Sequence, residues 1–339
     1  NEFLTIGVGA RAQGMGNAVA AGVQDVTAGY WNPAALPTID LDGRLQLGAM
    51  HAEWFAGIGQ YDYLGAAYAI EPEGRTIGLS LIRFGIDNIP NTLSLYEEDG
   101  TVNYDNIVEF SAADYALLLS YGQPLKVKTG RLTAGGSVKV VHRSIGAFAN
   151  SWGFGLDAAL RYETGAWRFA LMARDITTTF NAWSFNLTDE EERTLELTDN
   201  ELPINSTEIT RPQLIFGLNW TKRWENTNSL SAELNAALTT DGPRNTLLSS
   251  DPFSLSPALG LEYGFRDFIF VRAGANNFQE EVDFEETRWT FRPSLGVGLR
   301  IQKVRIDYAF TDIGRVGEDR YSHVISLQAD LKVGSSDRR

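Results

Sequence analysis

From Arg44 onward the chain alternates apolar and polar side chains with a period of two, segment after segment. In Ser254 to Phe265, Leu255, Pro257, Leu259, Leu261, Tyr263 and Phe265 share one face; Ser256, Ala258, Gly260, Glu262 and Gly264 share the other. Trp289 to Ile301, Trp152 to Tyr162 and Pro212 to Trp220 repeat the pattern. Successive side chains of a strand point to opposite faces, so this chain must build a sheet with one face in an apolar medium and the other against something polar or closely packed. About fourteen strands are expected, near 44–54, 60–70, 75–86, 108–122, 131–144, 151–163, 166–175, 210–222, 228–239, 253–264, 267–277, 288–301, 304–311 and 320–333. Most are about ten residues or longer, above the ~5–6 usual in soluble sheets and near what a tilted strand needs to cross a bilayer.

The connections add direction. Those near Glu73 to Gly74, Gly122 to Thr129, Glu163 to Gly165, Glu225 to Thr227, Arg266 to Asp267 and Gln302 to Lys303 are short. The intervening ones, 53–59, 87–107, 145–150, 176–208, 239–252, 278–287 and 312–319, are mostly longer. Alternating short and long links predict an all-β fold, a transmembrane up-and-down antiparallel β-barrel with turns on one rim and loops on the other, as in the bacterial outer membrane. A water-soluble barrel of this size would instead turn its apolar face inward, around a space too wide to fill. The opposite face here carries Lys139, Arg143, Asp157, Arg161, Arg168, Glu233, Glu262, Arg292, Arg300, Arg305, Asp307 and Asp330, which suit a wet lumen or a polar insert. Aromatics near strand ends (Trp54, Tyr61, Tyr63, Tyr121, Trp152, Tyr162, Trp167, Trp220, Trp224, Trp289, Tyr308 and Tyr321) read as interfacial belts. No repeat of ~40–50 residues suggests a propeller.

Charge narrows the partners. The formal net charge is -14 and there is no Cys, so nucleic acid is an unsuitable partner and neither disulfides nor thiolate sites are available. Segments 87–107, 176–208 and 280–288 carry -5, -7 and -4, which leaves the remainder near +2. The acidity thus belongs to loops on one rim. No apolar run is long enough for a membrane helix and none at the start reads as a signal peptide, so the chain reads as either a soluble protein or a mature, processed outer-membrane one, and the strand and loop pattern selects a barrel in outer-membrane lipid.

Residues 1–42 differ from the rest: they are rich in Gly and Ala, nearly uncharged, and are expected to sit as a plug inside a barrel of 43–333, with 334–339 as a tail. Gly7, Gly9, Gly14, Gly16 and Gly22 allow close approach. Asn32 followed by Pro33 favours a capped helical turn that Pro37 should stop. Gly7 to Ala12 also fits a loose dinucleotide fingerprint, with Asp25 at about the right distance, but that motif needs parallel βαβ units and none follows.

In that stretch Phe3-Leu4-Thr5-Ile6, Ala10-Arg11-Ala12, Gly14-Met15-Gly16, Asp25 and Trp31-Asn32-Pro33-Ala34 occur in order before the barrel, and this resembles the PorV/PorQ family of Bacteroidetes-type outer-membrane proteins. The Asn-Pro-Ala element is also similar to the hatch of FadL-like barrels. The resemblance implies a fourteen-stranded barrel with an internal plug and, for PorV, an adaptor of type IX secretion whose partners are a large secretion translocon channel and the signal domains of secreted cargo. FadL-like relatives imply the alternative, transport of hydrophobic small molecules through an opening in the wall, which would show an apolar pocket beside the plug and a lateral gap. The end, Leu331-Lys332-Val333 followed by Gly334 to Arg339, lacks the terminal aromatic common in such barrels.

Among individual residues, Arg11 should be held by a buried carboxylate, with Asp157, Glu262 and Asp307 as candidates, because an unpaired buried charge is costly. Asn32 reads as a cap. His142-Arg143-Ser144 would suggest a hydrolase, but His142 shares the apolar parity of its strand and has no orienting acid nearby. Asp189 to Glu192 lacks the spacing of a calcium loop. No catalytic residue, cofactor or metal is expected.

Overall fold

The computed structural model describes residues 1–41, 44–54, 57–70, 74–97, 99–283, 286–311 and 322–332. Its strands form one sheet. They are β1 (Arg44–Trp54), β2 (Gly59–Ala69), β3 (Thr76–Asn91), β4 (Val108–Leu125), β5 (Arg131–Ile145), β6 (Ala149–Thr164), β7 (Trp167–Arg174), β8 (Thr179–Phe185), β9 (Ser206–Thr210), β10 (Gln213–Arg223), β11 (Ser229–Thr239), β12 (Leu248–Ser249), β13 (Ser254–Phe265), β14 (Ile269–Asp283), β15 (Glu286–Ile301), β16 (Val304–Thr311) and β17 (Ser322–Lys332). β1 pairs with both β2 and β17, which closes the sheet into a barrel. β7 and β8 both pair with β6 and are two lengths of one wall strand; β9 pairs with β8 and β10 with β7, so they are two lengths of the next. β12 is a two-residue rung on β13, while β11 pairs with β13 directly. The wall therefore has fourteen strands in up-and-down antiparallel order, each overlapping one expected segment, with β3, β4 and β14 running past theirs and β8 and β9 prolonging two of them into 176–208.

Apolar side chains point outward. Leu64, Phe154 and Leu295 are 57%, 62% and 60% exposed on the barrel's outer face, where hydrocarbon is the solvent that makes such exposure favourable.

Inside lies the amino-terminal segment, with a 3-10 turn at Glu2–Thr5, α1 (Ala10–Gly14), α2 (Ala28–Trp31) and a second 3-10 helix at Pro33–Thr38. It is held from all round the wall. Its backbone groups meet Gln46 of β1 (2.6 Å from Val26 N), Ser120 of β4 (2.8 Å from Gly29 O), Glu233 of β11 (2.7 Å from Ala21 N), Asn276 of β14 (3.0 Å from Gly16 O) and Ser326 of β17 (3.1 Å from Ala10 N). An irregular segment cannot satisfy its own peptide groups, and a buried one left unpaired is costly, so the inner face supplies partners. Where polar side chains are absent, glycine lets backbones touch. Gly16 has φ +61°, and a Cβ there would stand 2.6 Å from the Ala275 nitrogen; one on Gly14 would stand 2.9 Å from the Gly296 Cα.

Four expectations need correction. Segment 176–208 is not all loop: it holds β8, β9 and a helix, α3 (Asp189–Leu197), with a capping box between Thr188 and Glu191. The acids of that helix mask the short alternating runs beside it. Segment 280–288 is mostly the end of a hairpin, since β14 reaches Asp283 and β15 begins at Glu286, and backbone pairing between them does not require an apolar side. Tyr61 and Tyr63 are not belt residues but face inward at 0% and 2% exposure, and Trp54 packs inside against Phe84 at 5.8 Å. Their parity matches Gly65 and Ala67, and Tyr63 donates to Val26 O at 3.2 Å. Finally, Pro37 lies within the Pro33–Thr38 helix instead of stopping it, because a 3-10 turn tolerates one missing N–H. Tyr321, the 312–319 link, Val333 and the 334–339 tail lie outside the described residues.

Candidate functional site

Two pairs of neighbouring strands slip register, between Ile86 and Ile89 on β3 and between Asn276 and Gln279 on β14, but the largest departure from regular pairing is where β7 passes into β8. Arg174 pairs with Gln213 and Thr179 with Thr210, so Asp175 to Thr178 stand opposite only Arg211 and Pro212. On the other edge, Ala158 pairs with Ala173 and Phe154 with Phe180, which leaves the longer side unpaired again. Asp175 and Thr178 have φ of 54° and 60°, and Pro212 has no N–H to offer a ladder. The extra residues are pinned to β6 through Asp175 N on Asp157 Oδ1 (2.8 Å) and Ile176 N on Leu156 O (2.9 Å).

One buried cation secures this break. Lys139 Nζ on β5 lies 2.8 Å from Asp157 Oδ1 and 2.7 Å from Asp175 Oδ1, and Thr179 Oγ1 donates to the second carboxylate. Immediately beside it, the Arg174 guanidinium stacks over the rings of Tyr30 at 4.7 Å and Trp31 at 5.6 Å, linking the broken strand to the insert.

Behind the break is a cavity of about 250 Å³ that runs from Leu4, Thr5 and Tyr30 of the insert to Asp175, Arg211 and Pro212 of the wall. A larger vestibule of about 670 Å³ lies above the insert, and Arg174 borders both spaces. Its lining is apolar at Phe3, Ile6, Trp31 and Phe84 and carries amides at Asn17, Gln213, Asn235 and Asn276. Most charges about these spaces are spoken for. Arg143 sits between Asp114 (2.9 Å) and Glu208 (3.0 Å), and Arg244 pairs with Asp241. On that rim the hydrogen bonds from Arg244 hold the Asp241 carboxyl below its usual range.

Deeper in the barrel a second network anchors the insert. Arg11 reaches Glu262 through Nε and Nη2, both at 2.9 Å. The same carboxylate receives Arg272 at 2.6 Å and Arg305 at 3.4 Å, while Asp307 receives Arg272 at 2.8 Å and Arg305 at 3.0 Å.

The motif residues divide by role. Arg11, Gly14, Met15 and Gly16 meet the wall at β13 to β15. Asp25 accepts from Thr27 N at 2.9 Å, and Asn32 accepts from Ala34 N at 3.0 Å while donating to Ala20 O at 2.7 Å, so both serve the insert's own backbone. Pro33 and Ala34 press against Gly135 of β5. Trp31 donates to Val8 O at 2.8 Å, and it and Gly16 border the vestibule. Sequence reasoning placed Lys139 and Asp157 on the inner face but missed Arg174, Asp175 and the break; the signal was Pro212 in what otherwise reads as a central strand.

Enzymatic geometry does not emerge from the candidates for it. His142 Nδ1 meets the backbone Ser151 O at 3.1 Å, where an orienting carboxylate would be needed, and its ring lies 4.3 Å from Trp152. Gly7 to Ala12 leads into a five-residue helix within an antiparallel barrel, so the dinucleotide reading has no βαβ unit. Among the described residues no group of three His, Cys, Asp or Glu side chains could hold a metal ion.

The fold is FadL-like. The Pseudomonas putida toluene transporter TodX superposes with a TM-score of 0.59 at 14% identity, covering 96% of this chain and 98% of that one. A Pseudomonas aeruginosa FadL homologue gives 0.54 at 15% identity, and the Ralstonia pickettii toluene transporter TbuX 0.55 at 14%, each over 96% of this chain and 98% of its own. No family model and no curated protein matches the sequence.

Proposed function

We propose that this chain is a non-enzymatic channel of a bacterial outer membrane that passes hydrophobic small molecules inward and out sideways through the wall. The observation that carries the reading is the break between Arg174 and Thr179 with a cavity directly behind it that reaches the insert. Its charges face one another, so the surface left for a solute includes Leu4, Leu118, Ile209 and Pro212. The barrels it superposes on, named as toluene transporters, support the same reading. Deleting Ile176 and Thr177 would leave two residues facing two toward Arg211 and Pro212 and four facing three toward β6, which closes most of the break. Intact cells producing the chain should take up naphthalene faster than cells without it, and the deletion should abolish the difference while the barrel still folds. Undiminished uptake by a folded deletion variant would end the lateral route.

A second reading, the PorV/PorQ-type adaptor in type IX secretion, keeps one observation in its favour. α3 and the link after it project Leu197 and Ile204, 77% and 79% exposed, from an acidic rim, a surface suited to another protein. Because 176–208 includes wall strands, the informative deletion is 187–204. An adaptor should lose co-purification with a large secretion channel, whereas a small-molecule channel should keep its uptake unchanged.

A further inference from the structure

The vestibule's amides have a consistent orientation. Asn17 donates its Nδ2 to Ile6 O at 2.9 Å, Asn235 to Asn17 O at 3.2 Å and Asn276 to Gly16 O at 3.0 Å. A carbonyl can be met only by the amide nitrogen, which fixes which way each group is turned. The side-chain nitrogens are thus committed to the insert, and the oxygens are what remains. Asn17 Oδ1 and Asn235 Oδ1 are buried with no hydrogen-bond partner, and the Gln213 side chain on the same vestibule makes no hydrogen bond among the described residues.

A surface with surplus acceptors is completed by a donor. The donor could belong to an ammonium or a hydroxyl, and the surroundings decide. Arg143, Arg174, Arg244 and Arg292 border the vestibule against Glu2, Asp114 and Glu208, so a cationic solute gains nothing there. On the same lining, Trp31, Phe3 and Phe84 offer flat apolar surface. Size also matters: a dry cavity of about 150 Å³ already accepts benzene, whereas this space is about 670 Å³. A bare single ring would leave both the volume and the amide oxygens unfilled.

We infer that the vestibule selects uncharged aromatic molecules larger than one ring that carry a hydroxyl donor, in preference to the corresponding hydrocarbons. The inference rests on the transport reading above and names its substrate class: the ring lies against the aromatic residues of the lining and the hydroxyl donates to the amide oxygens of Asn235 or Gln213. 2-Naphthol and naphthalene, which differ by that one group, are the probes. Equilibrium dialysis of the full chain in micelles, against protein-free micelles, should show 2-naphthol bound about tenfold more tightly, the value of one to two neutral hydrogen bonds. Gln213→Leu alone, and with Asn235→Leu, should erase the preference while leaving naphthalene binding in place. Equal binding of the two probes by the native chain, or parallel loss of both in the variants, overturns the selectivity. If cells then take up both probes alike, only the selectivity fails. If they take up neither, the transport reading fails with it.

Discussion

Lys139→Met should be among the most damaging single substitutions in this barrel, costing about 3–5 kcal/mol, the range found when one partner of a buried ion pair is removed. The Met side chain fills nearly the same space, so packing is not the cause. One ammonium bridges Asp157 and Asp175 at 2.8 and 2.7 Å, and without it two carboxylates share a buried site with no counter-charge. Asp157 would still accept the Asp175 peptide N–H, but Asp175 would be repelled from the position in which its φ of 54° holds the bulge. Urea unfolding in micelles should show the loss. Adding Asp175→Asn should recover a large part of it, since one carboxylate then remains and the amide can donate to it. A Met variant as stable as the native chain would mean that the triad contributes nothing to closing the wall. A double variant less stable than the single one would place the defect elsewhere.

Much of the architecture is legible from the residues because lipid outside and a polar insert inside impose one rule on every strand. That rule locates the fourteen wall strands, and it puts Lys139, Asp157 and Glu262 on the inner face. It does not reveal the break, which depends on a mismatch in residue number between neighbouring strands and therefore on registers that a single segment does not contain. Pro212 is the one local hint, because a proline removes a ladder donor. Tyr61 and Tyr63 show the reverse failure: their parity places them inside, yet aromatic identity near a strand end suggests a membrane belt. Among the carboxylates that could hold Arg11, choosing Glu262 over Asp157 and Asp307 requires the packed insert. Function is the least legible layer. The motif at Trp31 to Ala34 fixes how the insert is capped and seated, a requirement shared by any barrel with this hatch, so it points equally to adaptor and transporter; the wall break is the observation on which the proposed transport reading rests.

Glu262→Gln should loosen the insert more than removing the arginine that Glu262 holds, although both changes break the same contact. Arg11, Arg272 and Arg305 converge on two carboxylates, Glu262 and Asp307. Neutralising Glu262 leaves three cations over one anion in a buried site, a defect of about 3–5 kcal/mol by the same reasoning as for any buried charge stripped of its partner. Arg11→Ala instead leaves two cations over two anions. That network is balanced, and the remaining cost is the lost packing and hydrogen bonds of one side chain, so its unfolding temperature should fall, but by less. Because Arg11 belongs to α1, both variants should also expose residues near Gly14 to Gly16 to added protease, with Glu262→Gln cleaved faster. Arg11→Ala matching or exceeding Glu262→Gln would show that contact, not charge balance, holds the insert in place. A Glu262→Gln barrel with unchanged melting would remove the network from the account of stability altogether.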